Sequence, residues 1–251
     1  MDLGLSGRRA AVAASSSGLG LAAARALAAD GVHVALCGRD AHRLADAVAS
    51  ITEAGGSAVG LGADVSTVAG ATAFVAAAHD ALGGVDILVA NGGGPPAGTF
   101  ATTPLEAYAP ALELSLLSTV AMCTAAVPAM QVQGWGRVVA ITSISVRQPI
   151  ANLILSNTAR AGVTGFLKTL ALEVAGDGVT VNSVQPGSHA TDRLRSVYGE
   201  DLSAVAADTP MGAVGRPDDF GAVVAFLCAD QARFITGAAL PVDGGAYRAL
   251  Q

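Results

Sequence analysis

Aromatic side chains make up only 4% of the 251 residues and charged side chains only 14%, with a net charge of −6. A chain so short of charge, with no cluster of lysine and arginine, has no electrostatic footprint for nucleic acid and none for an anionic membrane surface. The three cysteines, Cys37, Cys123 and Cys228, stand far apart with no Cys-x-x-Cys pair. That excludes a disulfide framework and a zinc knuckle, and leaves reduced, buried thiols in a cytoplasmic protein as the expectation. The four histidines are scattered and form no His-x-x-x-His pair, so no metal is expected. No basic segment precedes an apolar run at the N-terminus, so no signal peptide is expected. One uncharged run, Leu114 to Gly136, is long enough to span a bilayer. Ser115, Ser118, Thr119, Thr124, Pro128, Gln131 and Gln133 within it favour instead a helix covered by the core and by a partner subunit.

What the chain does have is 52% hydrophobic residues, enough for one large core. Short β-branched or apolar runs alternate with Ala/Leu-rich stretches. Strands are expected at Arg9–Ala13, Val32–Cys37, Ser57–Gly62, Val85–Ala90, Val138–Thr142, Val179–Val184 and Ala239–Val242. Helices are expected at Gly18–Asp30, Ala41–Ala54, Thr67–Leu82, Leu105–Gln133, Asn152–Ala175 and Pro217–Cys228. Continuously apolar strands separated by crossover helices imply a parallel sheet buried on both faces. The expected fold is therefore a single α/β domain over residues 1–251: a Rossmann-type, doubly wound sheet of about seven parallel strands with helices on both faces. Ser188 to Met211 fits no βαβ unit, and an excursion of that length reads as a substrate lid.

The first strand runs through Ala13-Ala14-Ser15-Ser16-Ser17-Gly18-Leu19-Gly20 straight into the first helix. Gly18 and Gly20 permit a tight turn and a close backbone approach, and the helix N-terminus presents free N–H groups to a pyrophosphate. A glycine turn alone is a weak signal; one with the strand before it and the helix after it is stronger.

These residues, with others in the same order, resemble the short-chain dehydrogenase/reductase family in a 3-oxoacyl-carrier-protein-reductase-like form, over essentially the whole chain. The family's Thr-Gly-x-x-x-Gly-x-Gly turn matches residues 13–20, with alanine at both leading positions. The resemblance implies that Ser15, Ser16, Ser17, Gly18, Leu19 and Gly20 hold the pyrophosphate, and that Asp64 and Val65 contact the adenine. It further places Asn91 and Gly92 beside the cofactor, and Pro186, Gly187 and Thr191 against the nicotinamide. Arg39, where a carboxylate would hold a ribose hydroxyl, suits a 2′-phosphate, so NADP(H) is the expected cofactor.

Family chemistry uses a serine, a tyrosine and a lysine, often with an asparagine on the preceding long helix. Tyrosine and lysine stand four apart so that both face the cofactor from one side of a helix. Counting from Val138–Ser145, Ser143 takes the serine position, Ser156 the tyrosine position, Arg160 the lysine position and Ser115 the asparagine position. The chain therefore resembles a divergent member lacking the Tyr-x-x-x-Lys pair. An aliphatic hydroxyl is a far weaker acid than a phenol, and arginine is not readily deprotonated. Arg160 retains the capacity to bond ribose hydroxyls and to place positive charge near a forming oxyanion. His189, in the Pro186–Thr191 element, is a candidate replacement proton donor, and Tyr198 a second. Asn152 and Asn157 flank the vacant tyrosine position as candidate orienting groups. Leu153, Leu155, Trp135 and Met211 are candidate apolar walls, a role that competes with ordinary core packing.

The leading functional expectation is an NADP(H)-dependent oxidoreductase acting on a carbonyl or imine of a small apolar substrate with a non-standard proton donor. Alternatives are a non-redox isomerase, dehydratase or cyclase on the same scaffold, with Ser143, Arg160 and His189 handling an oxyanion, or a binding protein that senses the cofactor. The resemblance also implies a homotetramer or homodimer paired through the long helices from Leu105 and Asn152.

Overall fold

The structure, a computed structural model, describes residues 2–250; the two end positions of the expected domain lie outside the described residues. Seven strands form one parallel sheet in the order β3-β2-β1-β4-β5-β6-β7. They are β1 (Arg9–Val12), β2 (His33–Gly38), β3 (Ser57–Gly62), β4 (Ile87–Ala90), β5 (Gly136–Ile141), β6 (Val179–Pro186) and β7 (Ala239–Val242). Val12, Leu36, Leu88 and Val138 are wholly buried, which is why the central strands read as unbroken apolar runs rather than alternating ones. The order reverses between β1 and β4, and a doubly wound sheet opens its ligand crevice at that switch point.

One face of the sheet packs against α1 (Gly18–Ala29), α2 (Ala41–Thr52) and α9 (Pro217–Cys228), around Leu27, Leu36 and Phe220. The other carries α3 (Val68–Leu82), α5 (Ser118–Gln133) and α6 (Ile154–Val174), around Phe74, Met122 and Leu167. Helix starts follow the side chains that satisfy their free N–H groups. Asp40 accepts from His42 N at 3.0 Å and Arg43 N at 3.1 Å to open α2, and Thr67 accepts from Gly70 N at 3.1 Å to open α3.

The stretch expected as one helix over Leu105–Gln133 is broken. It runs as a 3₁₀ turn (Leu105–Ala107), α4 (Tyr108–Leu112), a π-helical turn (Glu113–Leu117) and then α5. Just past the π turn, Ser118 Oγ donates back to the Leu114 carbonyl at 2.6 Å and Thr119 Oγ1 to the Ser115 carbonyl at 3.0 Å, taking up oxygens at the break. Among the described residues this is the helical stretch long and apolar enough to cross a membrane by length and composition; half of its most apolar window is buried inside the fold.

The excursion carries two short helices that the sequence pattern did not announce, α7 (Asp192–Tyr198) and α8 (Ser203–Ala207). Its neck is closed by a parallel bridge between His189 and Gly215, with Ala190 N donating to the Gly215 carbonyl and Gly215 N to the Ser188 carbonyl, each at 2.9 Å.

Candidate active site

The phosphate turn is held from below. Ser15 is fully buried; its hydroxyl donates to the Val12 carbonyl at 2.6 Å and accepts from Cys37 N at 3.1 Å, tying β1 to β2. Ser15 is expected to help hold the pyrophosphate; here its hydroxyl is committed within the protein and its N–H donates to the Cys37 carbonyl at 2.9 Å, so it shapes the turn from below. Ser16 packs beside Gly38, where an added Cβ would lie 2.8 Å from Ser16 Oγ. Ser17 is the N-cap of α1 and makes no capping bond with its side chain, so its hydroxyl and the first N–H groups of α1 remain available to an anion. Gly18 has φ +59° and Ala14 has φ +45°, so an alanine occupies a left-handed position that suits glycine. Gly20 cannot be larger, because a Cβ there would stand 2.6 Å from the Ala14 carbonyl and 2.8 Å from Asn91 Nδ2. Asn91 braces the turn from the end of β4, donating to the Ala13 and Ala14 carbonyls at 3.3 and 3.1 Å. Cys37 Sγ accepts from Ala14 N at 3.2 Å, and burial pushes its thiol up to about 11. Leu19 is half-buried in the core on its far side.

At the adenosine end, Arg39 projects from just beyond β2 with 76% of its side chain exposed, and its one ion-pair partner among the described residues is Asp64 at 4.0 Å. Asp64 is held below the usual carboxylate range by hydrogen bonds from Ser66, with the Arg39 charge adding to them. Val65 is buried beneath it. On the opposite wall Pro186 ends β6. Gly187 allows Asp243 to approach, since a Cβ at 187 would fall 2.7 Å from Asp243 Cα. Thr191 caps α7, accepting from Leu194 N at 3.3 Å, and its methyl lies 3.7 Å from where a Cβ on Gly18 would stand. The excursion thus begins directly over the phosphate turn. These residues form a dinucleotide cradle: glycines where the backbone must come close, uncommitted donors at the helix end, and an exposed arginine at the adenosine end.

The catalytic positions are assembled but chemically altered. Ser143 follows β5 and accepts from Ser145 N at 3.1 Å, which fixes its hydroxyl at the strand end. Ser156 is 8% exposed in the first turns of α6, one helical turn before Arg160. Arg160 Nη1 donates to the Ile141 and Thr142 carbonyls, both at 3.1 Å, so the guanidinium is held against the end of β5. Burial first, and the charge of Arg193 second, push its pKa down to about 10, so it is still a cation at neutral pH. Arg160 lines a small cleft with Asn91, Gly92, Gly93, Ser115, Ser118 and Thr119, with room for roughly one water. Ser115 lies in the π turn, and its buried hydroxyl has no partner among the described residues. The loop after β4 is pinned to the start of α6 by Gly98 N donating to the Asn152 carbonyl at 2.7 Å and Ile154 N to the Gly98 carbonyl at 3.2 Å.

Several expected roles are corrected by placement. His189 is 6% exposed; its ring stands edge-on to Phe220, centroids 5.1 Å apart, and Nδ1 lies 3.2 Å from the Gly187 carbonyl. Burial pushes its pKa below the ordinary value, against the pull of that carbonyl, Asp219 and Asp243. It is a neutral packing residue at the neck of the excursion, not a proton donor to the cleft. Trp135 is no pocket wall: it stands just before β5, at the opposite end of the sheet, between the guanidinium groups of Arg8 and Arg137, 3.8 and 4.2 Å from its ring centroid. Asn157 holds the preceding loop, donating to the Ile150 carbonyl at 2.9 Å, and Asn152 is exposed in a left-handed conformation at φ +62°. Leu155 is core, Leu153 bridges to Gly98, and Tyr198 and Met211 are exposed on the excursion. Two residues were missed. Gln185, wholly buried near the end of β6, has an amide with no partner among the described residues, and Arg193 reaches across the cleft from α7.

Comparison with known proteins agrees with this geometry. A family model described as enoyl-(acyl carrier protein) reductase matches residues 13–247. Dehydrogenase/reductase SDR family member 4 of Bos taurus is 33% identical over 249 residues, covering 98% of this chain and 89% of its own. L-Sorbose reductase of Gluconobacter frateurii, solved with NADPH and L-sorbose, superposes with a TM-score of 0.93 at 32% identity over the full length of both chains. An NADPH-bound short-chain oxidoreductase of Pseudomonas aeruginosa, described as containing an atypical catalytic center, superposes with a TM-score of 0.89 at 29% identity, over 97% of this chain and 98% of its own.

Proposed function

Because the chain belongs to the short-chain dehydrogenase/reductase family, we propose that it is an NADP(H)-dependent oxidoreductase that reduces a carbonyl or imine without a phenol proton donor. The observation that carries the proposal is the contrast between the dinucleotide cradle and the catalytic positions. The cradle has its glycines, its Asn91 brace and an exposed Arg39, whereas the catalytic pair is Ser156 and Arg160. The NADPH-bound neighbours, one of them described as containing an atypical catalytic center, support this reading of the cofactor.

Ser17 and the N-terminus of α1 would hold the diphosphate, Thr191 would close over it, and Arg39 would take the 2′-phosphate. When bound, the nicotinamide supplies the hydride. Arg160, a fixed cation one turn along α6 from Ser156, stabilises negative charge growing on the substrate oxygen, and the Ser143 hydroxyl donates a hydrogen bond to that oxygen. The proton comes from water, with Ser115 and Arg160 lining the cleft that admits it. An imine, already basic enough to carry its own proton, depends least on a protein acid. Val197, Tyr198 and Met211, exposed on the excursion, support a substrate with an apolar body.

The test is calorimetric titration with NADPH and NADH, followed by NADPH oxidation against carbonyl and imine panels. Binding of NADPH at least tenfold tighter than NADH, lost in Arg39→Leu, is the expected result. Failure to bind either dinucleotide would overturn the reading, and turnover of substrate without NADPH consumption would transfer it to isomerase, dehydratase or cyclase chemistry.

A further inference from the structure

Arg193 lies in the first turn of α7, two residues beyond the threonine that closes over the phosphate turn. Its guanidinium crosses the cleft to the loop after β4: Nη2, Cζ and Nε lie 3.0, 3.4 and 3.7 Å from where a Cβ on Gly94 would stand. A Cβ at 94 would press on it, so the glycine leaves the arginine room to lie against the loop. Arg160 lines the cleft beside Asn91, Gly92 and Gly93, and the charge of Arg193 reaches it. Two guanidinium groups therefore stand along the loop after β4, Arg160 beside Asn91–Gly93 in the cleft and Arg193, exposed, over Gly94.

Neither has an acidic partner. Among the described residues Arg9 pairs with Asp86, Arg39 with Asp64, Arg137 with Asp230, Arg195 with Glu200 and Arg216 with Asp219. Arg160 spends its donors on main-chain carbonyls, and among the described residues Arg193 has its main-chain carbonyl bonded by the Ser196 hydroxyl at 2.8 Å while its guanidinium makes no hydrogen bond or ion pair. Like charges facing each other across a cleft are unfavourable until an anion enters between them. The cofactor diphosphate already has the uncapped N-terminus of α1 at Ser17, whereas the Arg193 guanidinium lies over Gly94 in the loop after β4. The planar fork of a guanidinium matches the two oxygens of a carboxylate.

We propose that Arg193 binds a carboxylate of the substrate, so that the substrate class is an oxo acid or imino acid with an apolar body. The proposal rests on the reductase reading and adds to it the group by which the substrate is oriented. In the oxo-acid case the carbonyl carbon accepts a hydride from NADPH, which leaves as NADP+, and the carbonyl oxygen takes a proton from water, giving a hydroxy acid. Arg193 holds the carboxylate while Arg160 faces the reacting oxygen, and both contacts together fix which face of the carbonyl meets the hydride.

The experiment uses the full chain loaded with NADP+, so that nothing turns over. Phenylglyoxylate, 2-oxohexanoate and acetoacetate, each beside its methyl ester, are titrated into wild type, Arg193→Leu and Arg193→Lys, and the NADPH affinity of each variant is measured in parallel. At least one acid is expected to bind wild type more tightly than its ester. Arg193→Leu is expected to lower that affinity by about 10- to 100-fold, the range of a charged hydrogen bond. Arg193→Lys should restore part of the loss, while the ester and NADPH affinities change by less than about threefold. Equal binding of every acid and its ester, or equal loss of both in Arg193→Leu, would overturn the proposal. A selective loss of NADPH affinity would also overturn it, by assigning Arg193 to the diphosphate. If wild type bound no dinucleotide at all, the reductase reading would fail first; dinucleotide binding without preference for an acid removes the carboxylate site alone.

Discussion

At the scale of single residues, the phosphate turn is where side-chain identity and backbone conformation disagree. Ala14 sits at φ +45°, a region that costs an L-residue about 1–2 kcal/mol, whereas glycine there is free of that strain but loses about 0.5–1 kcal/mol more chain entropy on folding. Ala14→Gly is therefore expected to stabilise the protein by about 0.5–1 kcal/mol, read as a higher urea midpoint at unchanged slope, with NADPH affinity equal or improved. A lower midpoint would mean that the methyl, which packs against the core, contributes more than its strain removes. The turn also marks what was legible at this scale. Gly18 and Gly20 could be read from spacing because glycine is chosen for what the backbone does there. Ser15 could not, since a hydroxyl facing a ligand and one bonded to Val12 and Cys37 look alike in sequence. Arg193 was invisible for the same reason: its significance lies in Gly94, about a hundred positions away in the chain and beside it only across the cleft.

At the scale of elements, strands β1, β2, β4, β5 and β6 were readable almost to their ends because burial on both faces leaves a continuous apolar run, while the edge strands β3 and β7 are partly exposed. The two breaks in pattern were not. Nothing in the uncharged run Leu114–Gly136 announces a π turn at Glu113–Leu117, yet that turn carries Ser115 to the cleft. The excursion was recognised as an interruption, but not that it is gathered at a neck by the His189–Gly215 bridge and the packing of His189 on Phe220. That packing gives the neck a pH dependence. An unfolded histidine titrates near ~6.5, and His189 in the fold titrates lower because it is buried. As pH falls below ~6.5 the unfolded chain takes up a proton that the folded chain resists, so stability is full above that pH and declines below it. The other three histidines are exposed. Comparing urea midpoints at pH 7 and pH 5, wild type should lose more stability on acidification than His189→Gln. At pH 7 the variant should itself be weaker by about 0.5–1.5 kcal/mol from the lost ring contact. Equal acid losses in the two proteins would show that His189 does not couple folding to pH.

At the scale of the whole molecule, both faces of the sheet are covered, but the covering helices are not themselves finished surfaces. Leu105, Val132 and Leu172, on the helical stretches Leu105–Gln133 and Ile154–Val174, are 81%, 92% and 73% exposed. With only 14% of residues charged, there is little polar surface to offset them. Large exposed apolar side chains spread along two adjoining helical stretches favour a face that is covered in solution. The partner that fits is a second copy of this chain, since a face of this kind on a pair of long helices can meet itself about a two-fold axis. A stable contact of that sort buries about 1,200–2,000 Å² in total. We propose a homodimer or homotetramer formed through this face. Light scattering at micromolar concentration should report two or four chains. Val132→Glu combined with Leu172→Glu should lower that number while leaving NADPH binding intact, because neither residue lines the cleft. If wild type is a stable monomer, the exposed leucines and valine are bare surface and assembly through these helices is excluded.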